Sequence, residues 1–387
     1  MLVLDGNQRS ALAVTRSLGA RGIEVIVADV TATSLAGCSR HALGCATYPD
    51  PATAPSSFVQ ELARLVRAHD IGVLLPMTDV TTALVLRHRD AFSTVHVPFP
   101  AYATYENLVN KQKVMALARS LGVPVPLTHV IHAADDRFAV QGQVRFPVVI
   151  KPVYSKVQTP AGWISAGVQY ADSADELEAK LSEHPCLGVV PLLVQQRISG
   201  HGHGIFALYD HGRPIAYFAH RRLRERPPSG GVSVLSESIA LHPASLHFAE
   251  ALLSQAAWHG VAMVEFKVDA QGTPYLMEVN GRFWGSLQLA VDAGVDFPLL
   301  LYRIATGESV ERQNGYAFGC RNRWLLGDLD HLYWVLWKER HRYTIGQRLR
   351  ALGEFMKLYQ RRTRYEVNRL DDWRPFLHEL RGYFLGA

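Results

Sequence analysis

The sequence predicts a mixed protein, with an α/β domain first, an α+β domain second and a helical extension at the C-terminus. The first third alternates short apolar runs with segments of helical periodicity, the pattern of parallel strands joined by crossover helices. The middle third carries strand-like runs separated by turn signals, and beyond about residue 305 the pattern becomes helical and rich in aromatic residues. A chain of 387 residues is long enough for roughly two to three domains.

The first domain is expected to be a small parallel sheet covered by helices. Its strands are predicted at 2–4, 23–28, 72–76 and 95–97, and its helices at 9–18, 58–68 and 81–89. The turn from Asp5 to Ser10 lacks the three-glycine pattern of dinucleotide-binding loops, which argues against a nicotinamide-dependent enzyme. Met77-Thr78-Asp79 follows the third strand, at the edge where open α/β sheets bind ligands, although a helix cap by Thr78 or Asp79 is the commoner role.

The second domain is expected to begin near residue 108, with a helix over 109–121 that gives way to the extended stretch at Pro124 and Pro126. Strands are predicted at 146–152, 192–198, 204–208 and 214–219, and the turn from Tyr209 to Gly212 joins the last two. Helices are predicted around 174–181 and 246–258. The basic stretch from Ala219 to Gly231 is interpreted as a segment that runs into a flexible turn.

Two further strands, joined by the turn from Asp269 to Pro274, carry the polar residues of the candidate site. Side chains two residues apart on a strand share a face, so Glu278, Asn280 and Arg282 are predicted to point one way, with Glu265 across the hairpin. Two carboxylates and an amide oxygen suit Mg²⁺, with Mn²⁺ as the alternative ion. Arg282 would add fixed positive charge beside phosphates. The alternative is a surface hairpin whose polar face meets water.

The composition is that of a folded protein, with 48% hydrophobic and 19% charged residues. No apolar stretch reaches the ~18 residues of a bilayer span and the sequence opens without a basic leader, so we expect a cytoplasmic protein. Its 4 cysteines are scattered, without the paired spacing of zinc or redox sites. No zinc-finger, homeodomain or RNA-recognition pattern is present, so a nucleic-acid partner is not expected.

The basic character of the chain belongs to its tail. Lys338 to Arg364 contains nine Lys or Arg residues against two Glu, a local net charge of +7, whereas the whole chain carries +5. Apolar residues recur in the tail at helical spacing, at Ile345, Leu349, Leu352, Met356 and Tyr359. Such a stripe is most often core, so we expect this helix to dock on its own protein. Contact of the basic tail with a membrane surface is the alternative.

Five motifs occur in an order and at spacings that resemble the ATP-grasp superfamily: Asn110-Lys111, Lys151-Pro152, Val194 to Gly200, Glu265, and Glu278 to Arg282. Within the superfamily the chain resembles bacterial carboxylate–amine ligases and predicted ATP-dependent carboligases. The resemblance implies a Rossmann-like pre-ATP-grasp domain at 1–107, an ATP-grasp domain at 108–305 with a lid subdomain at about 145–195, and a C-terminal extension at 306–387.

The resemblance also implies how ATP and Mg²⁺ are held, with the nucleotide between two α+β subdomains. The phosphate-binding and adenine-binding residues would be Lys111, Lys151, Gln195, Gln196 and Ile198. Where the family often has an acidic ribose contact, this chain offers only His201 and His203, which makes His203 the candidate. The metal ligands would be Glu265, Glu278 and Asn280, and the catalytic residues Lys151 and Arg282. Substrate contacts are expected from Arg222, Arg226, Ser229, Gly230 and Gly231.

The activity that the resemblance implies is the joining of a small-molecule carboxylate to an amine, through an acyl phosphate, with release of ADP and phosphate. The loop from Ser155 to Gly167 would act as a lid over the phosphates. One alternative is ATP-dependent carboxylation or kinase chemistry on the same fold. The other is a nucleotide-binding regulatory or membrane-associated protein in which the basic tail is the working surface.

Overall fold

The computed structural model describes residues 1–133, 136, 142–159, 162–164, 167–228, 230–358 and 360–385. These residues form a four-stranded parallel sheet, a four-stranded antiparallel sheet, a two-stranded hairpin and a seven-stranded sheet. Helices cover the sheets and dominate the C-terminal part. The predicted fold class, α/β followed by α+β with a helical extension, is confirmed.

The N-terminal part is the parallel sheet with its helices. Its elements are β1 Leu2–Val3, α1 Arg9–Gly19, β2 Ile26–Asp29, β3 Gly44–Thr47, α2 Pro55–Ala68, β4 Leu74–Leu75, α3 Asp79–Arg87, a 3-10 turn Arg89–Phe92 and α4 Tyr102–Val109. The strand order is β3-β2-β1-β4, with all neighbours parallel. Strand β3 was not predicted, and the strand predicted at 95–97 is reduced to a bridge between Val73 and His96.

The middle part contains the antiparallel sheet, in the order β5-β10-β6-β9. Its elements are α5 Lys111–Ser120, β5 Thr128–Ile131, β6 Val148–Pro152, β7 Val157–Thr159, β8 Gly162–Ile164, β9 Gln169–Ala171, α6 Ala174–Ser182 and β10 Leu192–Gln196. The hairpin of β7 and β8 lies in the predicted lid loop, of which residues 160, 161, 165 and 166 fall outside the described part. The helix predicted at 109–121 is α5, and α4, which ends just before Asn110, was not predicted. The Asn110 side chain caps α5 by accepting the N–H groups of Gln112 and Lys113.

The seven-stranded sheet carries the candidate site. Its elements are β11 His201–Asp210, β12 Arg213–Arg226, β13 Val232–Ser238, α7 Pro243–Gln255, β14 Gly260–Val268, β15 Pro274–Asn280, α8 Leu287–Asp292, α9 Phe297–Ala305 and β16 Arg321–Arg323. The basic segment after Ala219 is strand as far as Arg226, so the predicted turn begins only after that residue. The strand accommodates its arginines because they pair with acids, Arg221 with Glu237 and Arg224 with Asp328.

The C-terminal extension is mostly helical, as predicted, but it also contributes strands. Its elements are α10 Leu325–Tyr333, a π-helical turn Trp334–Lys338, a 3-10 turn Arg340–Arg342, α11 Ile345–Met356, β17 Thr363–Tyr365 and α12 Arg374–Leu385. Strands β16 and β17 complete the large sheet, whose order is β15-β14-β11-β12-β13-β16-β17. Arg16 of α1 fastens this extension to the N-terminal part through an ion pair of 2.8 Å between its Nε and Asp372 Oδ2.

The apolar stripe of α11 does not dock on the core, so that prediction was wrong. Ile345 is 68% exposed, Leu349 64% and Met356 63%, and none of the helix's residues is buried. Tyr359, the last predicted member of the stripe, lies outside the described residues. Among the residues described, no helix is both long and apolar enough to cross a bilayer.

One apolar core joins the N-terminal sheet to the seven-stranded sheet. Val3 and Val27 belong to it on one side, and Phe206, Trp258 and Leu276 on the other. Helices α4 and α5 pack against β15. This packing brings the start of α3 and the start of α5 to the strand that carries the acidic residues.

Candidate active site

The two glutamates of the candidate site face each other across β14 and β15. Glu265 and Glu278 are direct partners in the antiparallel register, and a bulge follows Glu265. The amide nitrogen of Asn280 lies 3.2 Å from Glu265 Oε1 and 3.2 Å from Glu278 Oε1. The structure therefore brings all three predicted metal-ligating side chains to one point.

Two buried lysines from other elements meet this acidic pair. Lys111 Nζ lies 3.0 Å from Glu278 Oε2 and 3.0 Å from the hydroxyl of Ser155. Lys151 Nζ lies 3.4 Å from the carbonyl oxygen of Met277, next to Glu278 in β15. The cap at Asn110 and the pairing of β6 with β10 set the positions of these lysines.

The charges in this cluster shift one another's ionisation. Lys111 lowers the pKa of Glu278 below its ordinary value. Burial, followed by repulsion from Glu278, raises the pKa of Glu265. Burial, followed by repulsion from Lys111, lowers the pKa of Lys151 to about 8. One carboxylate is thus held charged, while the other would gain from a further cation beside it.

Arg282 connects the acidic pair to the N-terminal part. Its Nε lies 2.9 Å from Asp79 Oδ1 and its Nη2 lies 3.5 Å from Asn280 Oδ1, although the residue follows the end of β15. Burial alone would lower the pKa of Arg282, but the charge of Asp79 raises it. Thr78 caps α3 through its side chain, so this turn both begins the helix and places Asp79 beside Arg282.

A cleft of about 400 Å³ opens beside these groups, within the range of small-molecule sites. Of the residues predicted from the sequence, it is lined by Lys111, Lys151, Gln195, Gln196, Ile198, Glu265 and Glu278. Gln195 Nε2 donates to Thr128 Oγ1 at 2.9 Å, and the backbone N–H of Gln196 donates to the carbonyl of Leu127 at 2.8 Å. A nucleotide would therefore have to use other backbone groups of this segment.

Several residues of the cleft were missed in the sequence. Arg197, Lys267, Tyr170 and Met277 line it as well, and the Arg197 guanidinium lies 5.1 Å from the centre of the Tyr170 ring. Lys267 stands two residues after Glu265 on β14, and strand alternation could have identified it. With it the lining holds four cations against two carboxylates, an excess of positive charge that suits an anionic ligand.

The predicted substrate residues separate in the structure. Arg222 Nη2 lies 3.4 Å from Glu265 Oε2, at the edge of the site. Arg226 is directed away, where it pairs with Asp330 and its guanidinium lies 5.0 Å from the Trp324 ring centre. The bulges of β12 between residues 222 and 225 interrupt the alternation of its side chains between the two faces of the sheet.

The turn after β12 holds the remaining substrate candidates. Gly230 and Gly231 are exposed in it, and Ser229 lies outside the described residues. The carbonyl of Gly231 is 3.5 Å from Arg222 Nη1, which links the turn to the edge of the site.

His203 is not brought to the cleft, which corrects the ribose assignment. On β11 it pairs with Phe266, whereas Gly204 pairs with Glu265, so alternation turns His203 to the opposite face from Glu265. Its ring packs on His242, at a centroid distance of 5.6 Å. Burial, with smaller contributions from His242 and His201, lowers the pKa of His203 to about 4, so the ring is neutral at physiological pH.

The donor set fits a hard divalent cation. The two carboxylates of Glu265 and Glu278 converge on the amide of Asn280, and rotation of that amide exchanges its nitrogen for its oxygen. Three side-chain oxygens would then face one point, a ligand type that Mg²⁺ prefers. Burial and repulsion from Glu278 raise the pKa of Glu265 even though Arg222 lies 3.4 Å away, so a cation bound between the two carboxylates would relieve their repulsion.

Comparisons with known proteins agree with this geometry. Residues 189–325 match the model of a family described as ATP-grasp in the biosynthetic pathway with Ter operon. No curated protein sequence matches the chain. Among solved structures, an L-amino acid ligase from Bacillus licheniformis has a TM-score of 0.62 at 18% identity, covering 79% of this chain and 73% of its own.

Two further solved structures have similar folds. A biotin carboxylase from Campylobacter jejuni, in a βγ-ATP complex, has a TM-score of 0.66 at 15% identity, covering 83% of this chain and 74% of its own. An ADP complex of N5-carboxyaminoimidazole ribonucleotide synthetase has a TM-score of 0.60 at 13% identity, covering 81% of this chain and 78% of its own. At these identities the likeness shows the fold. Together with the family match over residues 189–325, it confirms the resemblance to the ATP-grasp superfamily drawn from the sequence.

Proposed function

We propose that the protein is an ATP-dependent ligase that activates a substrate carboxylate as an acyl phosphate and joins it to an amine. The observation that carries the proposal is the convergence of Glu265, Glu278 and Asn280 beside Lys111, in a cleft with excess positive charge. The superfamily supports ATP as the nucleotide, and the fold of an L-amino acid ligase supports an amine as acceptor.

The residues that would hold Mg²⁺ are Glu265, Glu278 and Asn280. The ion would neutralise charge on the phosphate oxygens and so favour attack on the terminal phosphorus. Lys111 and Lys151 would bind the same oxygens, in a buried site where each charge acts strongly.

In the first step, an oxygen of the substrate carboxylate attacks the γ-phosphorus in line. A new P–O bond forms and the bond to the bridging oxygen of ADP breaks, so ADP leaves with the electron pair. Lys151 would stabilise the transferring group, and Arg222 at the rim would hold the carboxylate through its planar guanidinium. No enzyme nucleophile takes part.

In the second step, the amine attacks the carbonyl carbon of the acyl phosphate. The C–N bond forms, the C–O bond to phosphate breaks, and phosphate leaves with the electron pair while the amine loses a proton. Arg282, kept charged by Asp79, would stabilise the oxyanion of the tetrahedral intermediate. The hairpin of β7 and β8, next to Ser155, would close the cleft against water, because water would hydrolyse the acyl phosphate.

Carboxylation with bicarbonate is the second candidate. The observation that favours it is the fold likeness to a biotin carboxylase, whose TM-score of 0.66 exceeds the 0.62 of the amino acid ligase. The two activities share the first phosphoryl transfer and differ in the group that is phosphorylated.

The proposal is tested by measuring ADP release from Mg-ATP with a panel of amino acids and small acids, with and without bicarbonate, followed by mass spectrometry of the product. Glu278→Gln is expected to lower turnover by at least ~10²-fold, because it removes a metal-ligating charge with little change in volume. Glu61→Gln, which alters a partly exposed glutamate of α2 outside the cleft, is the control and should leave turnover unchanged. Equal turnover in both variants contradicts the metal assignment, and bicarbonate-dependent ADP release without an amide product favours carboxylation.

A further inference from the structure

Helix α11 exposes a continuous apolar stripe. Ile345, Leu349, Leu352 and Met356 are 68%, 64%, 40% and 63% exposed. At about 100° per residue, these four side chains fall within an arc of about 60°. The less exposed residues Arg348, Ala351 and Phe355 lie on a different face of the helix. The helix therefore packs on the protein with one face and presents its apolar face outward.

A local cap begins the helix, and a polar anchor at its C-terminal end holds it on the protein. At the N-terminus the side chain of Thr344 and that of Gln347 form a reciprocal cap. At the C-terminus the buried Arg323 donates to the carbonyl oxygen of Phe355 at 2.8 Å and to that of Lys357 at 3.3 Å. Asp328 in turn holds Arg323, with 2.6 Å between Oδ2 and Nε. The exposure of the stripe is thus built into the fold.

The surroundings of the stripe are strongly basic. The segment from Lys338 to Arg364 has a net charge of +7. Among the residues described, the exposed Arg340, Arg350 and Arg361 have no ion-pair partner. A second copy of the chain would bring the same positive charge to this surface, so self-association through it would be opposed by repulsion. An anionic partner is the complement in charge.

Exposed aromatic rings adjoin the helix. The π-helical turn Trp334–Lys338 contacts α11. Trp337 in this turn is 60% exposed, and Tyr333, which immediately precedes the turn, is 53% exposed. The two rings stack, with their centroids 5.8 Å apart. Tryptophan and tyrosine have an apolar ring and a polar tip, the combination that is enriched at the boundary between lipid headgroups and acyl chains.

We propose that α11, together with the basic residues of 338–364, is a docking surface for an anionic lipid bilayer. The apolar stripe would enter the headgroup region while the arginines bind lipid phosphates. Stable attachment of a peripheral protein to a bilayer requires two such signals, and this surface combines an apolar one with an electrostatic one. The inference does not depend on the proposed ligase activity.

The test is flotation of the full chain with vesicles of phosphatidylcholine alone and of phosphatidylcholine with about one third phosphatidylglycerol. Binding is expected to the anionic vesicles, at least ~tenfold tighter than to the neutral ones, and to weaken at ~0.5 M salt. Leu349→Glu is expected to weaken it by at least ~tenfold. The control Leu43→Glu alters a leucine of nearly equal exposure, 63% against 64%, and should bind like the parent.

A second pair of variants tests whether binding depends on the arginines of this surface or only on the net charge of the protein. Arg350→Gln combined with Arg361→Gln should weaken binding, whereas Arg67→Gln combined with Arg119→Gln, with the same net charge, should not. Thermal unfolding of each variant verifies that it is folded. The proposal is overturned by the absence of binding to anionic vesicles, by equal losses in both members of either pair, or by a parent dimer that Leu349→Glu converts to monomer.

Discussion

The proposed phosphate contact of Lys151 requires a protonated amine, yet burial and Lys111 lower the pKa of Lys151 to about 8. The group is therefore charged at neutral pH in the empty protein, with a margin of only about one pH unit. Glu278 and Glu265 act in the opposite sense and keep its pKa from falling further. A nucleotide phosphate beside Lys151 would raise its pKa again, so nucleotide binding and protonation are linked.

The first prediction at this scale concerns nucleotide affinity and pH. Above pH 8 the amine of Lys151 loses its proton, so the affinity for a non-hydrolysable ATP analogue should fall by up to about tenfold per pH unit. Calorimetric titration between about pH 7 and pH 9.5 measures this. In Lys151→Arg the side chain stays charged over that range. The affinity of this variant for the ATP analogue should therefore not change with pH, whatever its absolute value. A decline of equal slope in both proteins would assign the titration to another group.

Single residues also show how far the site could be predicted. Lys111, Lys151, Glu265 and Glu278 converge as the ordered motifs imply, because each lies on an element whose type the sequence signals. His203 does not join them. The side of the sheet to which its side chain points depends on the register between β11 and β14, and no local sequence pattern encodes that register. The roles of all these residues in binding and catalysis stay predictions.

At the scale of elements, the end of β15 is held by close backbone packing at Gly281, between Asn280 and Arg282. A Cβ added there would lie 2.8 Å from the Trp258 ring and 2.9 Å from the Tyr105 ring. Neither ring is the end of a flexible chain, and both are buried. The strand end would have to move, and with it the two side chains on either side of Gly281.

We therefore expect Gly281→Ala to lower ATP turnover by about tenfold to hundredfold, because small displacements of positioned groups are costly in catalysis. The matched control is Gly202→Ala on β11, where an added Cβ would meet no described atom within 4 Å. Its turnover should equal that of the parent. Steady-state ADP release and thermal unfolding of the two variants provide the comparison, and an unaffected Gly281→Ala would show that the strand end is not tightly placed.

Two elements explain where the sequence was insufficient. The arginines of β12 do not indicate a strand by themselves, but Glu237 on the neighbouring β13 and Asp328, 104 residues from Arg224, neutralise them within the sheet. The periodicity of α11 correctly predicts a helix with an apolar face. It does not say which face packs on the protein, because the anchor Arg323 lies more than twenty residues away.

At the scale of the whole molecule, the guanidinium of Arg16 joins α1 to the C-terminal extension. It donates to the carbonyl oxygens of Glu366, Val367 and Asp372, at 2.8, 2.8 and 2.9 Å, in addition to its ion pair with the Asp372 carboxylate. Ser39 Oγ donates to the same carboxylate at 2.7 Å. The N-terminal part and the C-terminal extension are therefore joined by a buried contact with several hydrogen bonds.

Arg16→Met should lower the free energy of unfolding by about 3–5 kcal/mol, because it leaves the buried Asp372 without its cation. The side chains of Arg16 and Asp372 are only 8% and 1% exposed, so solvent replaces little of the lost interaction. Urea unfolding gives the magnitude, and limited proteolysis should release fragments cut near residue 370. Arg67→Met, on the exposed face of α2, should change stability by no more than about 0.5 kcal/mol.

The same contact predicts a dependence on acid. Burial alone would raise the pKa of Asp372, but the Ser39 hydroxyl and Arg16 lower it below the ordinary value. A carboxyl whose folded-state pKa is depressed contributes stability above its unfolded pKa, and that contribution is lost as the pH falls through the folded value. We expect Asp372→Asn to abolish this pH-dependent contribution. The difference in the free energy of unfolding between the parent and this variant should therefore shrink as the pH is lowered below about 4.

The order of the domains along the chain was predictable from the sequence. The contacts that join these domains in the folded protein were not. Turn signals and periodicity mark the change from parallel layers to antiparallel hairpins, which is why the fold class is confirmed. The contribution of β16 and β17 to the large sheet has no comparable signal, since each has only three residues. The proposed domain boundaries stay predictions.

The bonds between Arg16 and the segment 366–372 also bear on how the protein is made. A ribosome delivers Arg16, in α1, 350 residues before the first of the carbonyl groups that receive its guanidinium. The contacts of this helix are therefore completed only after the segment 366–372 has been synthesised. A message cut short before codon 366 would yield a product whose opening helix lacks those acceptors, and we expect cellular proteases to remove it.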